Sequence, residues 1–186
     1  MKQAVVNGEP ISREAVQFEF DRLVKFYSSH GMSPDEIRKN LEKLVDRAQE
    51  QAIGAKLLLA RADQLDIRVD EAAIDAKLEQ VVKQVGGRED FVKALAAQKI
   101  SEADFRKELA KGCRVDVLVQ QACHGAAEPT EQDVADYYAA HQDDYAPQTL
   151  VDVADQIRDL LRHEARGRAM DAFIAELREK AKIEYR

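Results

Sequence analysis

The side chains that could perform acid–base, nucleophilic or metal chemistry are few and scattered along this sequence of 186 residues. There are four histidines without ligand spacing: His30, His124, His141 and His163. Single histidines at helix ends or in solvent are far commoner than metal or catalytic sites, and the pair Asp143-Asp144 is typical of a solvated helix exit. The sequence also lacks G-x-G-x-x-G, P-loop, H-E-x-x-H, C-x-x-C and G-x-S-x-G motifs. We therefore predict no catalytic residue, no metal site and no cofactor.

The two cysteines, Cys113 and Cys123, lie ten residues apart within one predicted helix. Ten helical residues rise about 15 Å, whereas a disulfide requires Cα atoms within about 7 Å. The two thiols therefore cannot bridge each other if the helix is continuous. We interpret both as small buried apolar residues, the commoner role of free cysteine. The adjacent His124 is a poor base for a thiol nucleophile, because it would point elsewhere on the helix.

Composition and charge exclude several classes of partner. The chain has 28 basic and 35 acidic residues, a net charge of −7, and an acidic chain lacks the electrostatic footprint that phosphate backbones require. We predict no nucleic-acid partner. The longest strongly apolar run, 57–60, is far shorter than the roughly 20 residues that cross a bilayer, so no membrane span is predicted. No apolar segment follows Met1-Lys2-Gln3, which predicts no signal peptide in the chain.

Helix-start and helix-stop signals predict an all-α fold. The sequence 33–36, Ser-Pro-Asp-Glu, has the order of an N-cap, a proline in the first turn and an acid at the third position. Ser101 and Thr130 begin similar sequences, while Gly31 and the pair Gly86-Gly87 are typical of helix ends. Together these signals predict helices near 13–29, 34–64, 71–85, 88–98, 102–123, 131–141 and 150–181.

Two of the predicted helices, 34–64 and 150–181, are as long as a compact body of this size is wide. They predict an elongated molecule. Within 34–64, apolar or small residues recur at close to 3.6 residues: Ile37, Leu41, Leu44, Ala48, Ala52, Ala55, Leu59 and Ala62. A coiled coil is disfavoured, because alanine dominates this seam and charge pairing beside it is not sustained.

The two chain ends are short exceptions to the helical pattern. Residues 4–6, Ala-Val-Val, precede the turn dipeptide Asn7-Gly8, and residues 181–185 alternate apolar and polar side chains as a half-buried strand does. A lone strand would leave its backbone N–H and C=O groups unpaired. We therefore predict that the N-terminal and C-terminal strands pair with each other in a small two-stranded sheet.

Aromatic side chains are the sequence's best candidates for a binding surface. On the first helix Phe18 and Phe20 differ by about 200° in direction, so one face is core and another is available to solvent. Burial is the commoner fate of any one aromatic residue. The alternative is that some of these rings form a shallow apolar binding surface, bordered by acidic side chains, for unfolded or extended polypeptide. The candidate client-binding residues are Phe18, Phe20, Phe26, Tyr27, Tyr137 and Tyr138.

The order of several motifs resembles SurA-type chaperone domains, which accompany parvulin-type peptidyl-prolyl isomerases and include the PrsA and PpiD relatives. The resemblance begins at Val5-Val6-Asn7-Gly8-Glu9-Pro10-Ile11-Ser12 and continues through 65–71 and 100–109. It then extends through 129–138, with Tyr137-Tyr138, to the closing strand near 181–185. This resemblance implies an elongated multi-helix chaperone domain of the cell envelope that binds polypeptide clients. Residues 114–123 with Tyr137-Tyr138 are also similar to a nitrogenase-maturation relative, which would favour the cytoplasm.

The sequence departs from this family at 146–149. In such proteins a parvulin domain usually lies between the Tyr-Tyr helix and the last helix, and nothing here resembles its strands or its paired histidines. We therefore expect one chaperone domain over 1–186. It has an N-terminal helical part (1–145), a junction at 146–149 where a parvulin domain would be inserted, and a C-terminal helix and strand (150–186).

These features favour an ATP-independent holdase that binds non-native polypeptide and is not itself an enzyme. Two alternatives stay open: a non-catalytic scaffold of an isomerase without its catalytic domain, and a helical dimerisation module, including a domain-swapped homodimer. The resemblance implies a periplasmic or cell-envelope location, while the free thiols and the absence of a signal favour the cytoplasm.

Overall fold

The computed structural model describes residues 2–186, and it confirms the predicted all-α fold with a small terminal sheet. Nine helices and three strands lie within these residues. The helices are α1 (Arg13–Ser29), α2 (Pro34–Lys39), α3 (Leu41–Gln64), α4 (Glu71–Gln84), α5 (Arg88–Gln98), α6 (Glu102–Cys123), α7 (Glu131–Ala140), α8 (Gln142–Tyr145) and α9 (Leu150–Lys180). The strands are β1 (Ala4–Val6), β2 (Glu9–Pro10) and β3 (Ile183–Tyr185).

Side-chain caps form the predicted helix starts. Ser33 and Glu36 make a full capping box at α2, and Thr130 makes the same box at α7. The Ser12 hydroxyl accepts the Ala15 N–H at 3.1 Å at the start of α1. Each cap satisfies N–H groups that have no partner within their own helix, which is why these boundaries are legible in the sequence.

The prediction of one helix over 34–64 is wrong. It is divided into α2 and α3 at Asn40, whose backbone angles, φ −102° and ψ 13°, are not helical. The Asn40 side-chain amide donates to the Glu36 carbonyl at 2.8 Å, and this local bond competes with continuation of the helix. The apolar face also differs from the predicted one, since Leu41 is exposed and Ile53 is fully buried.

The chain folds into two compact units. The first contains residues up to Leu118 together with Glu176–Arg186, and the second is Val119–Ala175. Helices α6 and α9 contribute residues to both units. Residues 146–149, the predicted insertion point, lie inside the second unit, where they join α8 to α9. No helix in the described part of the chain is both long and apolar enough to cross a bilayer.

An antiparallel sheet in the first unit joins the two ends of the chain. β1 is central, with β2 and β3 on its two sides. Asn7 and Gly8 connect β1 to β2 with φ values of 52° and 86°, as the favoured two-residue hairpin turn requires. β3 pairs with β1, with Val5 opposite Glu184, which confirms the predicted pairing of the terminal strands. β2 is a third strand beyond the predicted two.

Helices α1 and α3 pack together, and β1 packs against α3. The seven-residue spacing of Val16 and Leu23 puts both on one face of α1, and both are buried. Glu19 lies between them and is also buried, with its carboxylate 2.8 Å from the Arg22 guanidinium. Ala48 of α3 is fully buried, and its small side chain keeps α3 narrow.

Helices α4, α5 and α6 complete the first unit through an aromatic contact and ion pairs. Phe91 of α5 is buried and meets Phe105 of α6 edge to face, with ring centres 5.2 Å apart. Arg106 of α6 is paired with both Glu71 and Asp75 of α4. Since exposed ion pairs contribute little each, we ascribe most of the stability of this part to the buried apolar residues.

The second unit is built around three buried residues, Val134, Val153 and Ile157. Tyr138, Tyr145 and other half-buried apolar residues pack around them. Val153 and Ile157 lie four residues apart on α9, so they share one helix face. The short helix α8 was not among the predicted elements.

Truncating Ile157 should therefore destabilise the second unit. Ile157→Ala removes fully buried methyl and methylene groups, and we expect the free energy of unfolding to fall by about 2–5 kcal/mol. Val151 provides a matched control on the same helix, because it is 88% exposed. Val151→Ala should change the free energy by less than about 0.5 kcal/mol. Urea unfolding followed by circular dichroism measures both, and equal losses would contradict the assignment of the core.

The capping carboxylates should make stability depend on pH. Hydrogen bonds from the Thr130 hydroxyl and backbone N–H hold the pKa of Asp133 below its ordinary value of 3.8, and Thr149 acts in the same way on Asp152. Because the folded-state pKa values lie below the unfolded-state values, the caps contribute stability above about pH 4 and lose it as the pH falls through the folded-state values.

We expect the free energy of unfolding, measured in urea between pH 7 and pH 2.5, to decrease below about pH 4. The double variant Asp133→Asn/Asp152→Asn removes both titrating groups and should show a shallower decrease. A profile as steep as that of the parent chain would show that these caps do not contribute to the acid transition.

Candidate functional site

Two predicted client-binding aromatics lie on the exposed face of α1. Phe18 is 62% exposed and Phe26 is 53% exposed. Their eight-residue separation corresponds to about 12 Å along the helix and a rotation of about 80°, so both rings lie along one side. Arg22 lies between them, and its guanidinium carbon is 6.0 Å from the centre of the Phe18 ring. We call Phe18, Arg22 and Phe26 the α1 stripe.

The other two candidate aromatics of α1 lie on its opposite, partly buried face. Phe20 and Tyr27 are both half-buried, and their seven-residue spacing places them one above the other. The Tyr27 hydroxyl accepts a hydrogen bond from the Arg47 guanidinium of α3 at 2.8 Å. Tyr27 is therefore held against α3, and its ring also borders that of Phe26 in the stripe.

The end of α1 holds the Phe26 ring in place at the surface. Tyr27 meets it edge to face with ring centres 5.4 Å apart, and the imidazole of His30 lies 4.2 Å away. His30 is the C-cap residue of α1, and its Nδ1 is 2.7 Å from the Phe26 carbonyl oxygen. These contacts restrict the ring before any ligand binds, which lowers the entropic cost of a contact there.

The charge around the stripe is balanced, and the acidic excess lies elsewhere. Helix α1 has three acidic and three basic side chains. The second unit has eleven acidic side chains and four arginines, a formal charge of −7 that equals the charge of the whole chain, so the first unit is formally neutral. The acidic rim expected from the overall composition is therefore not a property of α1.

Tyr137 and Tyr138 belong to the second unit, where both are half-buried against its core. The Tyr138 hydroxyl donates to the Gln148 carbonyl at 2.9 Å. Tyr137 stacks on His141 with ring centres 4.1 Å apart, and partial burial raises the pKa of its hydroxyl. These contacts make both tyrosines structural parts of the second unit.

Sequence reasoning missed several exposed aliphatic residues of the first unit. They are between 40% and 49% exposed: Leu41, Leu65, Val85, Val92 and Ile100. Val92 lies about 100° from Phe91 but only about 60° from Leu95, the two buried residues of α5, so helical periodicity places it at the border of the buried face and does not reveal its exposure. The others lie at helix ends and in connecting loops, where helical periodicity carries no signal.

A small pocket and two free thiols lie outside the α1 stripe. No group of three His, Cys, Asp or Glu side chains within 2–186 is placed to hold a metal. A pocket of about 140 Å³ lies beside the start of α1, lined by Gln3, Arg13, Gln49 and neighbouring residues. Its volume is below that of ordinary small-molecule sites. The thiols of Cys113 and Cys123 are free, and burial raises the pKa of Cys113.

An all-α domain closed by paired terminal strands is the architecture expected from the resemblance to SurA-type chaperone domains. The family model of the SurA-like N-terminal domain matches residues 2–121. The chain therefore belongs to this family, and the resemblance read from the sequence is confirmed.

A solved structure extends the likeness in fold to the whole chain. It comes from work on the virulence factor PEB4 and the periplasmic protein Cj1289, described as two structurally related SurA-like chaperones of Campylobacter jejuni. The TM-score is 0.62 at 14% identity, over 100% of this chain and 98% of that chain. At this identity the likeness is one of fold. No curated protein matches the sequence.

If the stripe is a surface feature, its rings can be removed without unfolding the chain. Phe18→Gln/Phe26→Gln keeps helix propensity, and we expect the free energy of unfolding to change by less than about 1 kcal/mol. Leu23→Ala, at a buried position of the same helix, should cost about 3 kcal/mol. Urea unfolding compares the two variants. A double variant as unstable as Leu23→Ala would place the rings in the core.

Proposed function

We propose that this chain is an ATP-independent holdase that binds non-native polypeptide through the α1 stripe. The observation that carries the proposal is the exposure of Phe18 and Phe26 on one side of a helix whose opposite face is packed on α3. Exposed aromatic rings in a line fit the apolar side chains of an unfolded segment. Membership in a SurA-like chaperone family supports the same role.

The size of the stripe predicts weak and broad binding. A phenylalanine buries about 150–250 Å² when fully covered, so the exposed parts of the two rings amount to roughly 200 Å². At about 25 cal/mol per Å² their burial contributes about 5 kcal/mol, which is similar to the lower estimates for the cost of association. Clients are therefore held transiently, and further apolar contacts outside the stripe, such as those of Val92, add to the affinity.

The balanced charge of α1 predicts little selection by client charge. Long-range attraction depends on net charge and weakens with salt, and neither α1 nor the first unit carries a net charge. Suppression of client aggregation should therefore depend only weakly on ionic strength. The acidic second unit keeps the complexes apart from one another in solution.

We also propose that the chain catalyses no proline isomerisation. In this family's isomerases the catalytic domain is inserted before the last helix, whereas here four residues, 146–149, join α8 directly to α9. The scaffold role therefore remains the second candidate. A cell-envelope location is the family's expectation.

Aggregation of a chemically unfolded client, followed by light scattering after dilution, tests the holdase proposal. We expect stoichiometric amounts of the chain to suppress scattering without nucleotide. Phe18→Gln/Phe26→Gln should require several-fold more protein for the same effect, because the stripe supplies apolar area lost in the variant. A salt series from 50 to 500 mM should change the result little.

Val151→Gln is the matched control, since it removes an apolar side chain that is 88% exposed in the second unit. It should suppress aggregation as well as the parent chain does. An equal loss in both variants would show that general surface apolarity, and not the α1 stripe, holds the client. No suppression by the parent chain with several clients would favour the scaffold role.

A further inference from the structure

The sheet of the first unit has two edges that differ in their capacity to bind another strand. Its order, β2-β1-β3, leaves the outer sides of β2 and β3 without a neighbouring strand. An unpaired sheet edge presents N–H and C=O groups that another extended chain can use. Whether an edge can do so depends on which residues point outward and whether each has an N–H group.

The edge formed by β2 is closed by proline. Asn7 and Gly8 form a two-residue hairpin turn, and Val6 is paired with Glu9 across it, so the backbone groups of Glu9 point towards β1. The next residue, Pro10, is therefore the one that faces outward. Proline has no N–H to donate, which prevents strand addition at this edge.

The edge formed by β3 is open. Arg186 and Gln3 exchange both backbone hydrogen bonds at 2.9 Å, and the Asn7 N–H donates to the Lys182 carbonyl at 2.8 Å. These bonds fix the alternation of the antiparallel pair, so the backbone groups of Ile183 and Tyr185 point away from β1. Within residues 2–186, neither N–H has a backbone partner.

The side chains of β3 project towards the two faces of the sheet and not along its outer edge. Lys182 and Arg186 are both ion-paired with Glu184, at 2.6 and 2.8 Å, and these three side chains alternate away from those of Ile183 and Tyr185. Tyr185 is 45% exposed, and its hydroxyl donates to Glu50 of α3 at 2.9 Å. The net charge of the three paired side chains is +1, which favours a neutral or acidic segment over a basic one.

We propose that the outer edge of β3 binds an extended, proline-free segment of the client as an added antiparallel strand. Ile183 and Tyr185 supply two N–H donors and two C=O acceptors, the alternating set that an added antiparallel strand pairs with. This inference rests on the proposed holdase function and names the class of client it takes: proline-free segments able to form a strand. The β3 edge adds backbone recognition to the side-chain contacts of the α1 stripe.

Amide hydrogen exchange measured by NMR on the full chain tests the proposal. The probe is a neutral, proline-free ten-residue peptide rich in threonine, valine and tyrosine. On saturation, exchange at the Ile183 and Tyr185 amides should slow at least tenfold, while the Glu184 amide, already paired with β1, should change little. Ile183→Pro removes one outward N–H and should weaken peptide binding at least fivefold. Ile183→Val keeps the N–H and should bind as the parent chain does.

Three results would overturn the inference. The first is peptide binding without slower exchange at Ile183 and Tyr185. The second is suppression of client aggregation by a chain that does not bind the peptide. The third is slow exchange at both amides without peptide, with a doubled mass in solution, since a second copy of the chain would then occupy the edge. In the first two cases the holdase proposal stands. A chain that suppresses no aggregation refutes that proposal, and this inference with it.

Discussion

The pairing of β1 with β3 is the interaction on which the first unit depends. It joins residues 4–6 to residues 183–185, so it closes a loop of almost the whole chain, at an entropic cost that grows slowly with length. The hydrogen bonds between the two strands are not the only interactions that offset this entropic cost. β1 is entirely buried and packs against α3. Glu50 of α3 also accepts the Tyr185 hydroxyl and pairs with Arg178.

Helix α1 serves two purposes because its two faces meet different surroundings. One face buries Val16 and Leu23 where α1 packs on α3, and this contact supplies the stability. The other presents Phe18 and Phe26 to solvent. A helix that is packed on one side can keep aromatic rings exposed on the other side and stay folded, because its stability does not depend on contacts of the exposed rings. Tyr137 and Tyr138 differ from the two exposed rings of α1, because they pack against the core of the second unit.

The net charge of the chain is distributed unequally between the two units. All of the net charge of −7 lies in the second unit, while the first is formally neutral. A net charge favours solubility and discourages self-association. A surface without net charge neither attracts nor repels a charged polypeptide at long range. Both the α1 stripe and the open β3 edge are in the neutral unit, whereas the net charge lies in the other unit.

The sequence alone determined the all-α class, most helix boundaries and the pairing of the terminal strands, because caps, glycine stops and alternation are local signals. It also led to the family, through the order of its motifs. The break at Asn40 was not predicted; there the side-chain amide shares the Glu36 carbonyl with the backbone N–H. Tertiary structure decided which aromatics are exposed, since periodicity separates the faces of α1 but does not say which face meets α3. The open edge of β3 likewise depends on the register with β1, which arises only when residues from opposite ends of the chain meet.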